Sequence, residues 1–109
     1  MSIKLPEPIA AYFAATNSQN VDAMLALFAE TAIVKDEGQD RRGLVSIREW
    51  MEEAIKKYRF TVEVTGISEG SGSPVVTGRV SGNFPGSPVD LRHFFTLAGK
   101  KITSLEIIP

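Results

Sequence analysis

Three residues of this chain combine a reactive side chain with a position from which it can act: Asp36, Tyr12 and His93. Asp36 ends a short β-branched stretch, Ala32-Ile33-Val34-Lys35-Asp36, and is followed by an acidic turn and Arg41-Arg42-Gly43. A carboxylate at the rim of an apolar cavity loses solvation, so its pKa climbs toward a value suited to a general base. Asp is equally a common turn former, which here would cap the loop from Asp36 to Asp40. Tyr12 can donate to a substrate oxygen, or its hydroxyl can reach a backbone carbonyl from within the core. His93, the sole histidine, falls on the inward face of an apolar strand. There it reads either as a satisfied core residue or as a binding or acid–base group. Arg41-Arg42 reads as a solvated loop beside acidic neighbours.

Composition removes several chemistries. Without cysteine, disulfides, thiolate nucleophiles and zinc–thiolate sites are excluded. One histidine and scattered carboxylates have no metal-ligand spacing, so neither a metal nor another cofactor is expected. Gly70 to Gly72 lacks the strand-to-helix setting and the lysine of a phosphate loop. Lys plus Arg is 12 against 13 Asp plus Glu, with no basic stripe, so nucleic acid is not an expected partner. No apolar run approaches membrane-spanning length, and the N-terminus lacks a signal-peptide layout. The expectation is a cytoplasmic protein without membrane contact.

The positions of these residues depend on the elements that carry them. A first helix is expected from about Leu5 to Asn17, with Ile9, Tyr12, Phe13 and Thr16 on one face. Pro6 and Pro8 are tolerable in its first turn. Asn20 caps a second helix carrying Val21, Met24, Leu25 and Phe28, and the strand Ala32 to Asp36 follows. A long helix then aligns Ile47, Trp50, Met51, Ala54, Ile55 and Tyr58 on one face. Strands are expected over Phe60–Ile67, Val75–Phe84, Val89–Leu97 and Ile102–Ile108. Glu69 to Pro74 reads as a hairpin loop, with further turns at Pro85 to Pro88 and Gly99-Lys100. Gly78 and Gly82 suggest bends or a bulge of a strongly curved sheet.

The order is α-α-β-α-β-β-β-β, and 109 residues suffice for one domain with one core, taken as residues 1–109. Helices first and hairpins afterwards indicate an α+β fold, with the helices on one face of a curved antiparallel sheet. Alternation along Val89–Leu97 sends Val89, Leu91, His93, Phe95 and Leu97 inward. Asp90, Arg92, Phe94 and Thr96 take the other face, where an aromatic among charges suggests a partner surface.

The run Phe28-Ala29-Glu30-Thr31-Ala32-Ile33-Val34-Lys35-Asp36, the Arg-Gly step into Ile47-Arg48-Glu49-Trp50, and Phe95-Thr96-Leu97-Ala98-Gly99-Lys100-Lys101-Ile102 together resemble the nuclear transport factor 2-like superfamily. The most similar branch is the SnoaL-like one, with its polyketide cyclases and steroid isomerases. The resemblance covers nearly the whole chain and is more specific for fold than for activity. It implies a cone-shaped half-barrel with a pocket between helices and sheet, and a homodimer through the outer sheet face, here Arg92, Phe94 and Thr96. In ketosteroid isomerases the base is an Asp in the setting Ala-x-Val-x-Asp, which places Asp36 in that role. The same resemblance gives Tyr12 the oxyanion-binding role and puts His93 where that family has a protonated Asp. A further supporting Tyr of some isomerases would fall near Met51, which cannot donate.

The expected activity is therefore isomerisation, cyclisation or dehydration of a small hydrophobic carbonyl compound, without a cofactor. Asp36 would act as base, with Tyr12 and His93 polarising an oxygen. Phe13, Trp50, Met51, Ala54 and Phe95 are the expected ligand-binding wall. Two other readings stand beside it: a non-catalytic small-molecule-binding dimer, and an association module whose pocket is filled by Trp50 and Phe95.

Overall fold

The first helix, α1 (Glu7–Asn17), begins behind Pro6 with Pro8 in its first turn, where backbone N–H groups have no helical acceptor to lose. Asn20 then caps α2 (Val21–Leu25), its side chain accepting from the Ala23 amide at 3.1 Å. These elements belong to a computed structural model that describes residues 4–68 and 73–109. Most of the loop expected at Glu69 to Pro74 lies outside the described residues.

Next come β1 (Phe28–Asp36), β2 (Gln39–Arg42), α3 (Gly43–Tyr58), β3 (Thr61–Ser68), β4 (Val75–Ser81), β5 (Val89–Ala98) and β6 (Lys101–Ile108). The six strands form one sheet in the order β2-β1-β6-β5-β4-β3. The α+β class and its helices-on-sheet arrangement are as expected, with two differences of detail.

One is β2, which the sequence suggests only as an acidic turn and an Arg-Arg loop. Its four residues are polar and carry no apolar alternation, so no periodicity announces them. The strand exists because Glu37 (φ 53°) and Gly38 (φ 75°) make a two-residue turn that sends the chain back along β1. Its charged residues suit an edge. Arg41 pairs with Glu53 at 3.6 Å and Arg42 with Asp40 at 3.5 Å, surface contacts of little energetic consequence.

The other difference is that β1 and β6 run parallel, while every other neighbouring pair is antiparallel. The long stretch between them permits this pairing, which a chain of hairpins alone does not provide. It also draws Phe28 out of the expected second helix. Phe28 opens β1 opposite Ile102 and stays buried there.

Register decides what faces the helices. Asp36 lies beside Ile107, Ile107 beside His93, and His93 beside Val76, one row across β1, β6, β5 and β4. Alternation along β5 leaves Asp90, Arg92 and Thr96 exposed and buries His93 and Phe95, as read from the sequence. Ile9, Met24, Ile47, Met51, Phe95, Ile102 and Leu105 make the fully buried centre, each such side chain contributing about 1.5–3 kcal/mol. Asn17, the last residue of α1, clamps β3 by accepting from the Val62 amide at 2.7 Å and donating to its carbonyl at 2.9 Å. That fixes Tyr12 and Phe13 above the sheet. Among the described residues, no helix is long and apolar enough to cross a membrane.

Candidate functional site

Asp36 closes β1, and α3 packs against that strand. The indole of Trp50, from the inward face of α3, therefore reaches it: Nε1 donates to Asp36 Oδ2 at 2.9 Å. Burial pushes the Asp36 carboxyl above its ordinary value of 3.8. The Trp50 hydrogen bond holds it back in part, the Glu37 charge adds to the rise, and the Glu37 amide and Arg41 oppose it.

Tyr12 stands over the same strands, 3 % exposed. Its ring meets Phe13, Phe28 and Phe95 edge-on, with centroids 5.2, 6.0 and 5.7 Å away. Burial raises the phenol pKa, the Thr16 hydroxyl opposes the rise, and the Asp36 charge adds to it. The phenol is thus protonated at neutral pH and able to donate.

His93 is also 3 % exposed. Its Nδ1 lies 3.2 Å from the Val76 carbonyl oxygen. A carbonyl only accepts, so Nδ1 carries the proton and Nε2 presents a lone pair. Burial lowers the ring pKa from 6.5 to about 4, against the pull of the Val76 and Leu91 carbonyls. The neutral ring cannot polarise an oxygen as the resemblance implied, because its one N–H is engaged.

A cavity of about 410 Å³ lies between α1, α3 and the sheet, and Tyr12, Asp36, Trp50 and His93 all line it. Phe13 and Ala54 line it too, as expected, but Met51 and Phe95 do not. Met51 is one residue past Trp50, about 100° further round the helix, and is buried in the core. Phe95 lies beneath Tyr12 and Phe13 and is fully buried. Neither Trp50 nor Phe95 fills the space.

Several wall residues escape sequence reasoning. Phe60, Phe84, Leu91 and Ile107 line the cavity, and the alternation of β5 and β6 was the only signal for the last two. Phe60 and Phe84 sit just outside β3 and β4, where no period applies. Tyr58 stood on the inward stripe of α3. It donates to Glu37 Oε1 at 3.3 Å and meets Phe84 edge-on at 5.7 Å. Among the described residues, no group of three or more His, Cys, Asp or Glu side chains is arranged to hold a metal ion.

A family model of the SnoaL-like domain matches residues 9–105. The chain belongs to the SnoaL-like family. Solved structures agree, and the expected nuclear transport factor 2-like superfamily is the correct one. This SnoaL-like protein is 36 % identical to a "putative polyketide cyclase" from Sinorhizobium meliloti, with a TM-score of 0.92 over 95 % of each chain. It is 26 % identical to the epoxide hydrolase/cyclase-like enzyme SalBIII of pyran ring formation in the polyether salinomycin, at TM-score 0.82 over 94 % of this chain and 87 % of that one. A Catenulispora acidiphila protein with a ketosteroid isomerase-like fold shares the fold at 21 % identity and TM-score 0.84, over 97 % of this chain and 87 % of its own. No match was found among curated proteins.

Proposed function

We propose that this SnoaL-like protein moves a proton at carbon in a small hydrophobic carbonyl compound, with Asp36 as the base. The observation that carries this reading is the Asp36 carboxylate itself. It sits in an apolar cavity, desolvated, with one oxygen fixed by Trp50 at 2.9 Å. Its second oxygen takes the proton from the carbon next to the carbonyl, which leaves the electron pair on the enolate. The Tyr12 O–H donates to the enolate oxygen, where the negative charge gathers. Asp36 then returns the proton to a different carbon, giving an isomer. Alternatively the enolate carbon attacks a second carbonyl of the same molecule, giving a ring and an alkoxide that takes the proton back. Neither course has a net change in oxidation.

The cyclase descriptions of the Sinorhizobium meliloti protein and of SalBIII support an isomerase- or cyclase-type role. A homodimer through Arg92, Phe94 and Thr96 belongs to the same proposal.

The test is exchange in heavy water. The protein is expected to accelerate loss of the α-hydrogens from bicyclic ketones such as 1-tetralones, and Asp36→Asn to lower that rate at least about 100-fold with an unchanged circular dichroism spectrum. Full exchange in the variant would remove Asp36 as the base, and no acceleration by the unmodified protein would leave a binding protein as the better reading.

A further inference from the structure

The two polar ends of the cavity differ in what they can do. Asp36, Ile107 and His93 stand side by side on β1, β6 and β5, and all three line the cavity. With strands about 4.8 Å apart, the Asp36 and His93 backbones are about 10 Å from each other, with Ile107 between them. One end holds the carboxylate and the phenol. The other holds an imidazole.

That imidazole is locked in place. Nδ1 is on the Val76 carbonyl, the Phe13 ring stands edge-on with centroids 5.2 Å apart, and Phe95 stacks at 6.4 Å. Gly78 lies beside the ring, where a Cβ would meet His93 Cε1 at 3.4 Å, an ordinary packing distance. Nε2 accepts a hydrogen bond from no described residue. Yet among the described residues every fully enclosed side-chain nitrogen or oxygen has a partner. Nε2 therefore borders open space, and the open space beside His93 is the cavity. A lone pair in an apolar wall is costly while unmatched, and the cost is relieved by a donor.

We propose that His93 Nε2 accepts a hydrogen bond from a hydroxyl of the bound molecule and so selects hydroxylated carbonyl compounds of one or two rings. The carbonyl end lies at Asp36 and Tyr12, the ring skeleton over Ile107, and the hydroxyl at His93. A volume of about 410 Å³ suits a ligand of that size, and the aromatic walls suit its faces. This assignment takes the orientation of the ligand from the proposed role of Asp36. It makes His93 a reader of the far end of the ligand and not a second oxyanion donor.

The experiment is equilibrium binding of the 5-, 6- and 7-hydroxy-1-tetralones and their methyl ethers, followed by fluorescence of Trp50, the only tryptophan. The best hydroxy compound is expected to bind at least about tenfold more tightly than its methyl ether. In His93→Asn the amide keeps a donor for Val76 but has no atom at the Nε2 position, and the preference should fall to within about twofold. The ¹⁵N spectrum of the sole histidine of the unmodified protein gives a second reading that involves no variant. It should show a protonated Nδ1 and an unprotonated Nε2 at pH 7, with Nε2 shifting when the hydroxytetralone binds. Equal binding of alcohol and ether, a preference that survives in His93→Asn, or a proton on Nε2 in the free protein would each overturn the assignment. Failure of every tetralone to bind would overturn it together with the proposed function. A hydroxyl preference without α-hydrogen exchange would uphold the His93 contact and remove the catalytic role of Asp36, together with the placement of the carbonyl end that rests on it.

Discussion

His93 carries a cost in proton affinity that should be visible in stability. Folding lowers its pKa from 6.5 to about 4 because burial disfavours the cation. The unfolded chain therefore binds the proton more readily between those values. The stabilising contribution is fully present above 6.5 and is lost as pH falls toward 4, an effect of the order of 3 kcal/mol in total. Asp36 has the opposite sign: with its folded pKa raised above 3.8, its contribution is present below 3.8 and lost as pH rises through the folded value. Urea unfolding should show the wild type losing about 2 kcal/mol between pH 7 and pH 5, and His93→Phe should lose that slope. Equal slopes in the two proteins would contradict a buried neutral imidazole. At this scale the sequence was informative about which residues meet and less so about what they do. Asp36, Tyr12 and His93 share one cavity, as their strand-end and inward positions suggested. The donor role of His93 failed because its tautomer depends on the Val76 carbonyl of the neighbouring strand, a contact that residue order does not disclose.

Among the elements, β3 and β4 place the wall against which His93 rests. The ladder slips between Val64 and Gly66, opposite the step from Gly78 to Thr77, so the bulge is on β3 and Gly78 sits beside it. A Cβ at position 78 would lie 2.6 Å from Val62 Cγ1, too close for the Val62 side chain to keep its place. Gly78→Ala is expected to cost about 1–3 kcal/mol by overpacking, read from the urea midpoint, whereas an unchanged midpoint would show that Val62 swings aside freely. Of the two glycines read as bends or a bulge, Gly78 faces the β3 bulge across the ladder, while Gly82 lies past the end of β4. What the sequence did not disclose at this scale was β2 and the shortened α2, because in both places sheet pairing, and not apolar periodicity, chose the structure. Phe28 could satisfy a helix stripe or a strand, and the parallel partner β6 decided for the strand.

For the whole molecule, the resemblance carried more than periodicity did. The match over residues 9–105 and the fold of the Sinorhizobium meliloti protein agree with the cone-shaped arrangement expected of the family. The cavity walls were only partly legible, since Phe60 and Phe84 are brought in by the ends of strands and not by their alternation. On the outer face, Arg92 lies over the Phe94 ring at 5.7 Å, with Thr96 exposed further along the strand. Sedimentation at micromolar concentration is expected to give twice the chain mass, and Phe94→Glu to give the monomer. A wild-type monomer would refute the dimer without touching the cavity.

The proposed chemistry depends most on one carboxyl group. The measurement that addresses it directly is a ¹³C titration of the Asp36 side chain, set beside the pH profile of α-hydrogen exchange. The midpoint should lie above the ordinary 3.8, and the exchange rate should rise along a limb with that same midpoint as the base loses its proton. A midpoint at or below 3.8, or an exchange profile indifferent to it, would mean that the cavity does not make Asp36 a base.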